Sequence, residues 1–402
     1  MTDDEGLAFL VKVNEAFTPS APINNKDLFA GRRQQIARVM GAIMQRGQHA
    51  IIYGERGVGK TSFSNILFDL MVMAGKSTFQ VARFNCNIST DFDCIWRACL
   101  KQLVTTNGDT VTLDSFLAEA PGPENVCEVF QRASSPAIVV IDEIDRILNP
   151  ETSALIADTV KTLSDHSVNA TLILVGVADS VEQLIAEHHS IERNLVQIQM
   201  PRMSDGELTE IIDKGLAHCE MTIDEDVKFT IARLSQGLPP YTHQLGLYSA
   251  LSAIRNKRTA INSDDLAASI ADAVINQQQT IISTYERATH SPRENLYKQV
   301  LLACALAPAN ELGYFTAGDL RPAMKRIMGK PYEIPAFSRH LNDFCETSRG
   351  PVLHKTGASK RFRFRFINPL MEPFVLIKGI SGGLLTQEQV SELSSIAPGR
   401  RA

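Results

Sequence analysis

Directly after the apolar run at 50–53 the chain reads Gly-Glu-Arg-Gly-Val-Gly-Lys-Thr-Ser, and no other stretch of its 402 residues restricts the fold as tightly. The segment matches G-x-x-x-x-G-K-S/T at Gly54, Gly59, Lys60 and Thr61. A strand has to deliver the chain to such a loop and a helix has to leave it. Only then do backbone N–H groups and the positive end of the helix converge on one anion. Glu55, Arg56, Gly57, Val58 and Ser62 complete the wrap. Lys60 is placed to reach β and γ phosphates, and the Thr61 hydroxyl is placed to ligate magnesium.

Farther along, AIVVIDEIDR puts Asp142 and Glu143 at the end of a second apolar run. Open parallel sheets bind ligands beyond the carboxyl ends of their strands. Asp142 is therefore expected to hold the magnesium shell, and Glu143 to orient and deprotonate an attacking water. Asp145 and Arg146 read as structural.

Five short β-rich runs, at 50–53, 77–84, 137–141, 171–177 and 196–200, alternate with helical stretches. Runs apolar on both faces suit a parallel sheet covered by helices on each side, so the fold class is α/β. From Ser204 the pattern turns helical, opening on a capping box of Ser204 and Glu207, with further helices near Asp224 and Ser263. The predicted organisation is an N-terminal extension (1–20), a nucleotide-binding core (21–203), a helical lid (204–279), a connector helix (280–293), a C-terminal module (294–380) and a tail (381–402).

The module reads as helices at 294–306, 316–328 and 335–347 followed by a two-stranded hairpin, the pattern of a winged helix-turn-helix. Between Arg321 and Arg365 eleven basic residues face three acidic ones, a local charge of +8 on a chain of net charge -5. Such asymmetry points to a polyanion at one end. In the hairpin, Phe362, Phe364 and Phe366 alternate with Arg361, Arg363 and Arg365, so the rings are expected to pack inward. The arginine face, extended by Lys355 and Lys360, is spaced to meet the backbone of duplex DNA. Ser338, Arg339, Asn342 and Arg349 are expected to reach the major groove, with Phe337, Leu341, Phe344 and Cys345 as the core behind them.

The apolar stretches are too short for the roughly 18 residues of a membrane span, so no membrane partner is expected. The acidic opening MTDDEGLAF reads as cytoplasmic, and seven scattered Cys without CxxC spacing indicate neither a disulfide framework nor a zinc site.

GERGVGKTS followed by IVVIDEID resembles the AAA+ ATPases, and over roughly 20–375 the chain resembles their initiator clade of origin-recognition and helicase-loader ATPases. The resemblance implies a P-loop core that takes ATP and Mg2+. It implies adenine contacts from Ile23, Phe29 and Gly31, and a sensor after the fourth strand, where Asp179 and Ser180 stand. It also implies an arginine finger at Arg193 that reaches a neighbour's nucleotide, making hydrolysis depend on a homo-oligomer. The lid departs from the clade: LSQGLPPYTHQLG lacks the arginine usually offered to the γ-phosphate. It is similar instead to the G-x-P element of STAND signalling ATPases, which implies nucleotide contacts from Gly237, Pro239 and His243. The first expectation is therefore an ATP-hydrolysing, DNA-binding AAA+ protein with nucleotide-controlled assembly. The alternative is a STAND-like switch whose winged helix packs on the nucleotide domain and which opens when a ligand or a partner binds.

Overall fold

The computed structural model describes residues 3–73, 79–105, 111–178, 193–291, 295–310, 312–358, 361–386 and 389. The chain divides into two compact units, one of Pro22–Glu55 with Gly59–Pro201, the other of Met1–Ala21, Arg56–Val58 and Arg202–Ala402. The first helix, α1 (Asp3–Ala16), thus belongs to the second unit although it comes first in the chain.

The sheet unit contains α2 (Arg33–Met44), β1 (His49–Gly54), α3 (Lys60–Met73), β2 (Gln80–Asn85), α4 (Phe92–Leu100), α5 (Pro123–Phe130), β3 (Ala137–Asp142), α6 (Pro150–Asp165), β4 (Ala170–Val177) and β5 (Leu195–Gln199). All five predicted strands are present, in the order β2-β3-β4-β1-β5, every pairing parallel. Each residue of β3 is buried, as expected for an interior strand covered on both faces. Trp96 of α4 anchors one face, edge-on to Phe92 at 6.0 Å and to Phe130 at 5.7 Å. Because β1 and β3 run parallel on either side of β4, their carboxyl ends emerge on the same edge of the sheet, and both phosphate motifs meet there.

The helical unit adds α7 (Asp205–Cys219), α8 (Glu225–Leu234), α9 (Pro239–Arg255), α10 (Ser263–Ile275) and α11 (Gln279–Thr289), with β6 (Thr222–Ile223) beside β7 (Ala260–Ile261). The Ser204–Glu207 capping box is formed as predicted. The N-terminal extension is part of this packing: Phe17, 1% exposed, fits where Gly215 of α7 and Gly246 of α9 leave room for its ring.

The C-terminal module runs α12 (Tyr297–Leu306), β8 (Phe315–Thr316), α13 (Arg321–Met328), α14 (Ile334–Asp343), β9 (Leu353–Thr356), β10 (Arg363–Phe366) and α15 (Met371–Ser381). Its sheet has the order β8-β10-β9, antiparallel throughout. Three boundaries differ from the sequence reading. Glu294 lies outside the described residues, and α12 starts at Tyr297. The second helix is split: the Thr316–Asp319 capping box opens a tighter turn at Ala317–Leu320, and α13 starts at Arg321 with Pro322 in its first turn. The third helix stops at Asp343, where the returning strand captures the Phe344 carbonyl through the N–H groups of Val352 and Leu353. Helix α15, apolar on nearly every side, was not foreseen as a separate element. Of the predicted tail, 381–386 and 389 are described, and the rest lies outside the described residues. No helix among them is long and apolar enough to cross a membrane.

Candidate functional site

The phosphate loop follows β1 without a break. Gly54, at φ 153, passes so close to β5 that a Cβ there would stand 2.4 Å from the Met200 carbonyl oxygen. This position tolerates no side chain. The chain then enters α3, whose first residue is Lys60. The Lys60 ammonium, 8% exposed, donates to the carbonyls of Gly54 at 3.0 Å and Glu55 at 2.8 Å. It therefore lies across the mouth of its own loop, where an anion would compete for it.

Asp142, 5% exposed, ends β3 beside this lysine. Its carboxylate accepts the Glu143 N–H at 2.8 Å and the Thr61 hydroxyl. Burial pushes its carboxyl above the usual aspartate range, while those two hydrogen bonds and the Lys60 charge pull it back. A hydroxyl and a buried carboxylate in contact next to a lysine form a donor set that suits magnesium, a hard, oxygen-seeking ion. Thr61 and Asp142 are therefore brought together as the two motifs required.

Glu143 sits in the left-handed region, φ 57, which is unusual for a residue with a side chain. Its carboxylate is engaged by Arg146 Nη1 at 2.9 Å, both side chains about half exposed. The sequence reading gave Arg146 no role toward Glu143; their spacing of three residues was the available signal. Asp145 is structural as expected, its carboxylate accepting the Val177 N–H at 2.8 Å.

The segment before β1 is tied to the loop helix. The Ile23 N–H donates to Ser62 Oγ at 3.0 Å, and the half-buried Phe29 ring lies 6.3 Å from that of Phe63. Gly31, at φ 67, makes the turn into α2. Arg193, preceding β5, has a side chain 74% exposed and a loose ion pair to Asp165 at 3.6 Å. Asp179 and Ser180 lie outside the described residues.

In the helical unit, Gly237, at φ 78, packs against Arg202 and Met203, and its carbonyl accepts the Met203 N–H at 2.9 Å. Pro239 opens α9 at its first position, where proline costs no hydrogen bond. His243 departs from its expected role: it is 6% exposed, edge-on to Phe17 at 6.1 Å, and burial lowers its pKa to about 4. The ring is a neutral core group enclosed by the N-terminal segment. Sequence separation hid two further ties, the Arg202–Glu372 ion pair at 2.8 Å and the Tyr241 hydroxyl donating to the Leu370 carbonyl at 2.6 Å. Three loop residues, Arg56–Val58, belong to this unit, where a Cβ on Gly57 would meet Leu370 Cδ2 at 3.0 Å.

In the basic module, Phe364 and Phe366 are buried against Phe315, as the alternation predicted. Phe362 is corrected to a half-buried position under the Lys355 ammonium, 3.7 Å from the ring centre, because strand pairing begins only at Arg363. Lys355 is turned away from the arginines and donates to Asn342 Oδ1 at 2.7 Å. Arg365 lies over the Tyr314 ring at 4.8 Å. Arg349, expected at the major groove, is instead folded back onto Tyr297 at 3.9 Å, with hydrogen bonds to the carbonyls of Ala288 and His290. Phe337, Leu341 and Phe344 form the expected core, and Ser338 is partly covered. Arg339, Arg361 and Arg363 stand exposed; Lys360 lies outside the described residues.

The profile of the family described as Novel STAND NTPase 1 matches residues 16–284, well over half of the chain. The chain belongs to this family. Among solved structures, this STAND NTPase is similar to a Walker-type ATPase of Pyrococcus abyssi, with a TM-score of 0.52 and 13% identity over 89% of this chain and 98% of that one. It is also similar to Cdc6p from Pyrobaculum aerophilum, with a TM-score of 0.48 and 16% identity over 92% and 99% of the two chains. No curated protein matches it. At such identities the likeness concerns the fold alone. The family and the sheet order together make the chain a P-loop NTPase of the AAA+/STAND type, the side on which the lid element also falls.

Proposed function

We propose that this STAND NTPase is an ATP-operated switch that binds Mg-ATP at the loop of 54–62 and hydrolyses it slowly. The observation that carries the reading is the contact of Thr61 with the buried Asp142 beside Lys60. Bound magnesium would supply charge neutralisation on the phosphates, held by Thr61 and Asp142. The loop N–H groups of 54–62 orient the phosphates, Lys60 neutralises charge, and Ile23 and Phe29 offer the apolar surface for adenine. Pro239 is proposed as a further nucleotide contact. Glu143 is the base, free to accept a proton once it parts from Arg146. The ties of Leu370 and Glu372 to Tyr241 and Arg202 support the switch, since they fasten the segment after the hairpin to the lid. Glu143→Gln should lower steady-state ATP turnover by roughly a hundredfold or more while leaving nucleotide binding within a few fold. Unchanged turnover would make Glu143 a bystander.

A second reading keeps the module as a winged helix on duplex DNA, favoured by the exposed arginines 339, 361 and 363. Arg361→Glu with Arg363→Glu should then weaken binding of a DNA duplex by about tenfold and flatten its salt dependence in an anisotropy titration. Salt-independent affinity, untouched by these changes, would leave the module to a protein partner. Arg193 is the finger residue of an assembled form, to be read as loss of ATP-induced oligomer turnover in Arg193→Ala.

A further inference from the structure

A cavity of about 970 Å³ lies in the helical unit, lined from α10, α11, α12 and α15. That is the volume of a small-molecule site rather than of a packing defect. One wall is aromatic: Tyr285 and Phe374 meet edge to face with centroids 5.5 Å apart, 7% and 2% exposed. Val274 and Ile282 extend this apolar surface. The Tyr285 hydroxyl makes no hydrogen bond among the described residues, and burial pushes its pKa up to about 12, so it keeps its proton at neutral pH. Charge adds direction. Lys298, Lys378 and Arg287 line the cavity against one carboxylate, Glu286, with His290 beside them.

We propose that this cavity binds a small organic anion with a flat apolar body. The flat body packs against Tyr285, Val274 and Ile282, the anionic group lies toward Lys298 and Lys378, and the Tyr285 hydroxyl donates to the ligand. An occupant would touch lid helix, connector helix and last helix at once, giving the switch a small-molecule input separate from its phosphate loop. The proposal does not depend on nucleotide binding.

Two probes of one shape test it on the full chain: anilinonaphthalene sulfonate and its neutral parent, phenylnaphthylamine, followed by fluorescence titration. The sulfonate should saturate a single site about tenfold more tightly than the neutral amine, the size expected from one well-placed ion contact. Lys298→Glu with Lys378→Glu should weaken the sulfonate by about tenfold or more and alter the amine by less than about twofold. Ser283→Trp, which puts a ring into the cavity from α11, should abolish both signals. Equal affinity for the two probes overturns the proposal. So does sulfonate binding that survives both the charge reversal and the filled cavity.

Discussion

Arg146 holds the Glu143 carboxylate at 2.9 Å, and in the function proposed above this contact would restrain Glu143 as the base. Ion pairs this exposed are worth roughly 0.2–1 kcal/mol, a restraint rather than a lock. Arg146→Ala should therefore raise ATP turnover by at most about fivefold, read from steady-state phosphate release. A drop in rate would show that Arg146 positions the base instead of restraining it. Most of the proposed phosphate site is legible in the sequence because its residues are contiguous: Gly54, Lys60 and Thr61 on one turn, Asp142 and Glu143 on another. Roles set by distant partners could not be read that way. His243 is a core ring because Phe17 lies against it, and Arg349 is drawn to Tyr297 by a stacking contact that its place in the sequence does not announce.

At the scale of elements, β1, β3 and β4 were plain because each is a mainly apolar run, β2 and β5 were legible as β-rich runs with polar residues among the apolar ones, and the capping box of Ser204 and Glu207 marked α7 locally. Helices α1 and α15 escaped for opposite causes. The first carries apolar residues at Leu7, Leu10 and Val11 on its exposed side as well as Val13 on its buried side, which blurs a single-face pattern. The second is apolar nearly all round, so periodicity says nothing. Docking of α1 depends on Phe17 filling the space beside two glycines. Phe17→Ala should cost about 3–5 kcal/mol, and Gly215→Ala about 1–3 kcal/mol because its Cβ would stand 2.6 Å from the ring. Urea unfolding of the helical unit measures both. A loss below about 0.5 kcal/mol for Phe17→Ala would mean that α1 does not pack there in solution.

For the whole molecule, two buried imidazoles tie stability to pH. His49 is 0% exposed, with Nδ1 accepting the Leu172 N–H at 2.9 Å, and His243 is 6% exposed; burial lowers both from 6.5 to about 4. Above pH 6.5 both are neutral folded or unfolded. Below it the unfolded chain takes up protons first, so stability falls as pH drops from 6.5 toward 4, by up to about 1.4 kcal/mol per pH unit for each ring. Asp142, with its pKa raised, opposes this loss but is one group against two. The melting temperature should accordingly decline across that window, and a rise would contradict neutral burial of the two rings.

The central claim is that the loop of 54–62 and Asp142 share one Mg-ATP. Calorimetric titration of the nucleotide-free chain with Mg-ATP tests it most directly. One saturable site per chain is expected, lost in Lys60→Ala and weakened by Asp142→Asn only when magnesium is present. Absence of binding heat across several temperatures, or equal binding by wild type and Lys60→Ala, would contradict it.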